Sequence, residues 1–311
     1  MSVYSVTRIR QFMDFVINES VKPLITECEL IEQAESFFAE DDLSREQYRR
    51  ELVFMGLHGI LGDSNILTKY AGNMPPKVWE DAVERVAALR ASGHLPEIAY
   101  PVFEDQAIPS MYASIFVIEQ YACEDFARPR EGDVFLDCGA FCGETAIWAL
   151  YRGAGHVYAF EPNPEAAPYL VANVARFGRG RITRVPLAVG ASSTRGGFKV
   201  KGENGDMSGA CLTNAAEGVD TVPVVTIDDW CQENSIRPDF IKMDIEGAEP
   251  EAINGASHVI GAYRPSLAIC LYHRLSDMWV IPHMLKKLVP EYRFRCRKNA
   301  PNAEFVLYAT V

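Results

Sequence analysis

The sequence predicts an α/β protein in which a mostly parallel sheet follows a mostly helical N-terminal region. From Arg128 onward, short apolar runs alternate with helix-like segments, which is typical of a parallel sheet covered by helices. Before that point, apolar residues recur every three to four positions, which indicates amphipathic helices. We therefore expect a helical region over residues 1–125 and an α/β domain over residues 126–311.

The helical region is predicted from apolar spacing and from residues suited to helix ends. Ser44 with Gln47 forms a capping-box pattern, and Pro76 is suited to the first turn of a helix that Gly93 would close. Ser110 is placed to cap another apolar helix. The predicted helices are 7–20, 28–40, 44–58, 76–93 and 110–123.

The α/β domain is predicted to contain seven main strands, of which the last two form an antiparallel hairpin. Asn163 would cap a helix that starts at Pro164 and ends at Gly178. An insertion after the third strand carries two further strands, 196–201 and 219–225. The predicted main strands are 134–137, 157–161, 182–189, 240–244, 266–272, 292–296 and 304–310.

The distribution of charge limits the classes of partner. The net charge is −12, and residues 1–125 contribute almost all of it, with 21 acidic against 10 basic residues. Such a surface argues against nucleic acid or an anionic membrane as a partner. We find no signal-peptide pattern and no apolar run long enough for a membrane helix, and the eight cysteines form no CxxC pair. These features predict a cytoplasmic protein with reduced thiols.

The first glycine turn is the most informative motif. Asp137-Cys-Gly139-Ala-Phe-Cys-Gly143-Glu144 follows the first strand and precedes a helix, which is the entry to a nucleotide-type cofactor site. A dinucleotide site would place pyrophosphate at this helix N-terminus, and Asp137 would repel it. The acid is better suited to the ammonium or ribose of S-adenosylmethionine (SAM), which has no phosphate. Glu144 either contacts the cofactor or favours the helix dipole.

A second acid ends the second strand. Glu161, followed by Pro162 and Asn163, is placed to accept hydrogen bonds from ribose hydroxyls. We therefore expect Asp137 and Glu161 both to bind SAM. Seven strands ending in an antiparallel hairpin also fit a SAM methyltransferase better than a dinucleotide dehydrogenase.

Three acids after the fourth strand form a second group of candidate site residues. Asp244, Glu246 and Glu249 lie where ligands bind in an open parallel sheet. They are suited to bind the methionine ammonium, to orient an acceptor hydroxyl or to act as general base. A capped helix start with favourable acids in its first turn is the structural alternative.

His273 follows the fifth strand and is another candidate base, because the pKa of histidine lies near working pH. A histidine hydrogen-bonded to a neighbouring loop is equally compatible with the sequence. A metal site that joins His273 to the acids lacks a short ligand spacing, so we predict no metal. Asp206 and Ser208 lie on the glycine-bracketed insertion loop, which is predicted to fold over the cofactor or the acceptor.

Together these motifs resemble those of the FkbM family of SAM-dependent methyltransferases. The resemblance covers residues 130–310, and the Asp244-Ile-Glu246-Gly-Ala-Glu249 run is its most specific part. It implies a Rossmann-like class I methyltransferase fold and transfer of a methyl group to a hydroxyl, often on a sugar or secondary metabolite. Residues 1–125 have no counterpart in the minimal family domain, and we expect them to cap the cleft or to form a homodimer surface.

The candidate site residues follow from these motifs and from the resemblance. The predicted catalytic residues are Asp244, Glu246 and His273. The predicted cofactor-binding residues are Asp137, Gly139, Ala140, Phe141, Gly143, Glu144, Thr145, Glu161, Pro162, Asn163, Asp206, Ser208 and Asp244. Tyr272 and Trp279 are candidates for the wall of the acceptor cleft.

Two other functions remain open at this stage. A nicotinamide-dependent oxidoreductase would share the strand, turn and ribose acid, but it would need a third glycine and surroundings that tolerate phosphate. A non-catalytic interaction protein could retain the fold without turnover. We expect a small hydroxyl-bearing substrate and neither nucleic acid nor membrane as partner.

Overall fold

The computed structural model describes residues 22–61, 76–101, 107–199, 210–213, 220–299 and 304–311. In these ranges, no helix combines the length and the apolar character needed to cross a membrane. None of the eight cysteines takes part in a disulfide. The predicted helix 7–20 and the loop residues Asp206 and Ser208 lie outside the described residues.

Helices precede the sheet, as predicted. The first helices are α1 (Lys22–Thr26), α2 (Cys28–Ser36), α3 (Asp42–Leu61), α4 (Pro76–Ala91) and α5 (Ala107–Tyr112), and α5 continues into a π-helical segment, Ala113–Ile118. The helices of the α/β part are α6 (Glu144–Tyr151), α7 (Ala167–Phe177), α8 (Ile227–Asn234), α9 (Glu249–Asn254), α10 (Ser257–Tyr263) and α11 (Asp277–Leu288).

The main sheet has seven strands, and its terminal hairpin is antiparallel, as predicted. Its strands are β1 (Val134–Cys138), β2 (His156–Phe160), β3 (Ile182–Val185), β8 (Phe240–Met243), β9 (Ser266–Cys270), β10 (Arg293–Lys298) and β11 (Phe305–Thr310). Their spatial order is β10-β11-β9-β8-β1-β2-β3. Strands β1, β2, β3, β8 and β9 run parallel, whereas β11 lies antiparallel between β9 and β10.

The insertion forms a second sheet of four strands. It contains β4 (Ala188–Val189), β5 (Thr194–Lys199), β6 (Cys211–Thr213) and β7 (Asp220–Val225), in the order β4-β7-β5-β6. The two predicted insertion strands pair with each other here. The prediction of one strand over 182–189 was wrong, because the chain leaves the main sheet after Val185. Pro186 has no N–H to donate to a ladder, and β4 joins the insertion sheet instead.

The core lies on both faces of the main sheet and follows the period of two of a strand. Leu136, Ile241 and Leu267 are paired across β1, β8 and β9 and face one cluster of buried residues. Phe135 and Phe240, the preceding residues, face the other cluster, where their rings stack with centroids 5.0 Å apart. This alternation fixes the register that brings the strand ends together.

Helix α3 covers the outer edge of β10. Ser44 Oγ accepts the N–H of Cys296 at 2.9 Å, and Gln47 Oε1 accepts that of Lys298 at 2.9 Å. These bonds satisfy backbone groups that an edge strand would otherwise leave open. The capping-box prediction was therefore wrong, because Asp41 caps the helix by accepting the N–H of Ser44 at 3.1 Å.

Candidate active site

A cavity of about 320 Å³ lies at the carboxyl ends of the parallel strands. Its volume falls within the range of small-molecule sites, which is roughly 300–1,000 Å³. Residues that follow β1, β2, β8 and β9 line it, and Tyr100 together with side chains from residues 110–121 closes one side. The cavity thus occupies the position at which open α/β sheets bind their ligands.

The first glycine turn brings the backbone of β1 close to that of β8. Gly139 has a φ of +83°, and a Cβ atom there would stand 1.8 Å from the carbonyl oxygen of Asp244. Phe141 also adopts a left-handed φ of +44°, and its N–H donates to Glu161 Oε2 at 2.8 Å. The turn is therefore held by the acid that follows β2.

Glu161 both supports this turn and contributes to the cavity wall. Its Oε1 accepts the N–H of Asn163 at 2.7 Å, and Asn163 Oδ1 in turn accepts the N–H of Glu165. A carboxylate has about four lone-pair sites, so roughly two remain for a ligand. Burial raises the pKa of Glu161 to about 7, although the two backbone N–H groups oppose that shift.

Glu144 begins α6 and places a buried acceptor at the same cavity. Its Oε2 has no hydrogen-bond partner in the part of the chain that the structure describes, and burial raises its pKa to about 8. Thr145, the next residue, is buried and also lines the cavity. An unpaired buried carboxyl oxygen beside a helix N-terminus is a ready acceptor for a donor group of a ligand.

Asp137 lies beneath this wall and not in it. Its side chain is fully buried and forms an ion pair with Lys242, which stands beside it in the register of β1 and β8, at 3.2 Å. Lys242 also donates to the carbonyl of Gly139 at 2.6 Å and lines the cavity. Asp137 therefore acts on the site through Lys242, and its predicted direct contact with the cofactor finds no support in its position.

Asp244 follows β8 and is held by two tyrosines from distant parts of the chain. Tyr121 Oη donates to Oδ2 at 2.7 Å, and Tyr272 Oη donates to Oδ1 at 3.0 Å. Burial favours the protonated carboxyl, but Lys242, His273 and the hydroxyls outweigh it and hold the pKa of Asp244 below its ordinary value. Asp244 is consequently a charged acceptor with a fixed orientation.

His273 lies behind this wall among carboxylates. Its Nδ1 is 3.0 Å from Glu249 Oε1, and its Nε2 is 3.4 Å from Asp244 Oδ1 and 3.6 Å from Glu246 Oε2. Burial opposes the charged ring, yet these acids raise the pKa of His273 to about 11. An imidazolium has no lone pair to accept a proton, so this environment disfavours the predicted role of His273 as a base.

Among the described residues, His273 and two of the acids around it are close enough together to hold a metal ion. One donor atom of each of Asp244, Glu249 and His273 lies within 4.8 Å of the other two. The imidazolium already supplies positive charge between the two acids. Burial raises the pKa of Glu246, which has a left-handed φ of +56° and lines the cavity.

Glu304, just before β11, is a wall residue that the sequence motifs did not reveal. Its Oε2 is buried, and no described residue forms a hydrogen bond with it. Burial and the neighbouring Asp244 raise its pKa to about 7, against Lys242 and the Gln120 side chain. No local pattern marks Glu304 or Tyr121, whereas a lysine inside an otherwise apolar strand was a signal for Lys242.

The structure brings most of the predicted site residues to one cavity. Those that line it are Gly139, Phe141, Glu144, Thr145, Glu161, Pro162, Asp244 and Glu246, with Tyr272. Those that stand behind it are Asp137, Ala140, Gly143, Asn163 and His273, and Trp279 packs in the core. Predictions for Asp206 and Ser208 concern residues outside the described ranges.

The chemistry of the wall fits SAM. Among the described wall residues, five are acids and the only cation is Lys242, which is already paired. This surface suits a sulfonium and an ammonium, and it would repel a pyrophosphate. The ring of Tyr100 meets that of Phe141 edge-on, with centroids 5.4 Å apart, and provides an apolar surface beside Glu161.

Comparisons with known proteins identify the family and the fold. The model of the methyltransferase FkbM domain matches residues 137–296, just over half of the chain. Among solved structures, the chain is similar to methyltransferase FkbM from Methylobacillus flagellatus KT, with 20% identity and a TM-score of 0.62. That match covers 95% of this chain and 62% of the other, so this chain spans less than two thirds of that protein. At this identity, the likeness shows a shared fold.

Two further solved structures are less similar to the chain. An O-methyltransferase from Bacillus cereus in complex with SAH has 13% identity and a TM-score of 0.39, covering 83% of this chain and 97% of that one. Aeropyrum pernix fibrillarin, in complex with SAM, has 14% identity and a TM-score of 0.35, covering 58% and 67%. No curated protein matches the chain significantly.

Proposed function

This chain belongs to the FkbM methyltransferase family, and we propose that it transfers a methyl group from SAM to a hydroxyl oxygen of a sugar or secondary-metabolite-type small molecule. The observation that carries this proposal is that Glu161 and Asp244, at the ends of two strands, line one cavity. The first acid suits ribose hydroxyls and the second suits a donor group on the cofactor or the acceptor. The cavity wall therefore offers polar groups for both reactants.

The residues that would hold SAM lie around the glycine turn. Glu144 offers an oxygen without a hydrogen-bond partner among the described residues, Glu161 keeps lone pairs on oxygens that each accept one backbone N–H, and Phe141 with Tyr100 offers ring surfaces. When bound, SAM supplies an activated methyl group on a sulfonium leaving group. The protein's contribution is then to orient the acceptor and exclude water, and orientation can supply about 7–11 kcal/mol of barrier reduction.

Asp244 would orient the acceptor. Its two tyrosine donors and its low pKa keep it charged and fixed. A fixed carboxylate that faces a cavity accepts hydrogen bonds from hydroxyl groups, which is the main support for an oxygen acceptor.

We further propose that the N-terminal region, residues 1–125, caps the cleft. Ser110, Met111, Ser114 and Ile115 from α5 and the π-helical segment line the cavity beside Tyr100. Residues that precede the α/β domain thus contribute to acceptor selection under this proposal. A homodimer surface is the alternative role, and light scattering of the purified protein distinguishes a monomer from a dimer.

A two-stage experiment tests the function. Calorimetric titration with SAM should show binding, whereas NADH should show none, because the acidic wall disfavours phosphate. A methylation assay with SAM against a pool of glycosides and metabolites, read by mass spectrometry, should then give an O-methylated product. Binding of NADH in place of SAM would favour the oxidoreductase alternative. SAM binding without any product would favour the non-catalytic interaction protein. We propose a cytoplasmic location for the protein under both functions.

A further inference from the structure

The proposed reaction needs a group that receives the acceptor's proton, and the motif-derived candidates fit that task poorly. His273 is already protonated between carboxylates. Asp244 has a low pKa and accepts two tyrosine hydroxyls, so its basicity is weak. A base works best when its pKa lies near the working pH and when an oxygen remains free.

We propose that Glu304 is the catalytic base, and that its Oε2 receives the proton of the acceptor hydroxyl. This inference rests on the proposed function. Glu304 lines the cavity, and its Oε2 is buried without a partner among the described residues. It stands in the electrostatic neighbourhood of Asp244, Tyr121 and Tyr272, which is the part of the wall that would orient the acceptor.

The environment of Glu304 supports a base that works near neutral pH. Burial and Asp244 raise its pKa to about 7, and Lys242 and the Gln120 side chain act in the opposite direction. The other wall acids are less suitable. Glu144 also has a buried oxygen without a described partner, but it begins α6 beside the glycine turn, where the proposed function assigns it to SAM. Both oxygens of Glu161 already accept backbone N–H groups, those of Phe141 and Asn163, and Glu246 lies 3.6 Å from the positively charged His273.

The proposed step balances in bonds and protons. The acceptor O–H bond breaks and its proton moves to Glu304 Oε2, while the acceptor oxygen forms a bond to the methyl carbon. The carbon–sulfur bond breaks, and its electron pair remains on sulfur. The neutral carboxyl then returns its proton to water when the products leave.

Three variants test the proposal, with Glu304→Gln as the main one. Because proton transfer contributes typically 10²–10⁴-fold, Glu304→Gln should lower kcat by about that factor and leave the calorimetric Kd for SAM unchanged within about twofold. Glu304→Asp should recover part of the rate. Glu233→Gln, a change at an exposed residue of α8, serves as the matched control and should leave kcat unchanged.

The pH profile separates a base from a structural residue. Wild-type kcat should rise with pH through about 7, where Glu304 loses its proton, and the Gln variant should lack this limb. Thermal unfolding adds a measurement that needs no acceptor. The folded pKa is raised from 4.5, so ionisation costs stability as pH rises toward about 7. Glu304→Gln should therefore be at least as stable as wild type at about pH 8.

Each contrary result has a distinct meaning. If wild type methylates a pool member and Glu304→Gln does so at a similar rate, Glu304 is not the base and the proposed function stands. If Glu304→Gln unfolds at a clearly lower temperature at every pH, the carboxyl has a structural role and the proposal is overturned. If wild type binds SAM and methylates no hydroxyl, the proposed function fails and this inference falls with it.

Discussion

Glu161→Gln is the sharpest test of the cofactor site. Glu161 accepts two backbone N–H groups, at 2.8 and 2.7 Å, and keeps roughly two lone-pair sites toward the cavity. A hydrogen bond to a charged group contributes about 1.5–3 kcal/mol, so losing one such contact should weaken SAM binding about 10- to 150-fold. The amide also cannot accept both N–H groups, so the glycine turn should loosen and the unfolding temperature should fall.

Isothermal titration with SAM over a range of pH measures this effect. Because ligand donors favour the ionised carboxylate, wild-type affinity should rise as pH passes about 7 and then level off. The Gln variant should lose that dependence, and Glu233→Gln on the exposed face of α8 should retain it. If the variant remains folded and binds SAM with wild-type affinity at every pH, Glu161 does not contact the cofactor and the reasoning is refuted.

Three further comparisons of variants test the fold and the site. Gly93→Ala, at a φ of +71° with open space around it, should lower the free energy of unfolding in urea by about 1–2 kcal/mol. Gly139→Ala should lower it by at least about 3 kcal/mol, because the added Cβ would also meet a backbone carbonyl. Equal losses of stability would show that the structure relieves this close approach. Lys242→Met should lower the free energy of unfolding by about 3–5 kcal/mol, because it leaves Asp137 buried without its ion-pair partner, and adding Asp137→Asn should recover part of that loss. If the two losses simply add in the double-mutant cycle, the residues are not a coupled pair. His273→Gln should destabilise the protein most below pH 6.5, because folding raises the pKa of His273. The difference in unfolding temperature between wild type and variant should shrink as pH rises toward about 11. A difference that does not depend on pH would argue against a buried imidazolium.

Local patterns in the sequence predicted the elements that meet at the cavity. The apolar run before Asp137 and the glycines after it predicted a strand, a turn and a helix, and these are β1, the turn at Gly139 and α6. Glu161 and Asp244 were predicted as strand-end acids, and both line the cavity. These signals succeed because strand alternation, turn conformation and helix starts depend on neighbouring residues.

Sequence patterns did not reveal partners that come from elsewhere in the chain. The register of β1 and β8 places Asp137 beside Lys242, while its contact with a cofactor stays a prediction. Ser44 and Gln47 were read as a local cap, whereas they bind the edge of β10. A polar residue with two available partners cannot be assigned from spacing alone, because the choice depends on which element packs against it.

The sequence by itself determined the order of strands and helices, the family, and the acids that follow β2 and β8. Only the tertiary structure decided which carboxylates face the cavity and which are neutralised. Tyr121, Asp244 and Glu304 lie far apart in the chain and meet because β11 inserts beside β9 and the π-helical segment closes over the strand ends. The burial of these side chains and the charges close to them set their protonation, and both depend on contacts that form only when the chain folds.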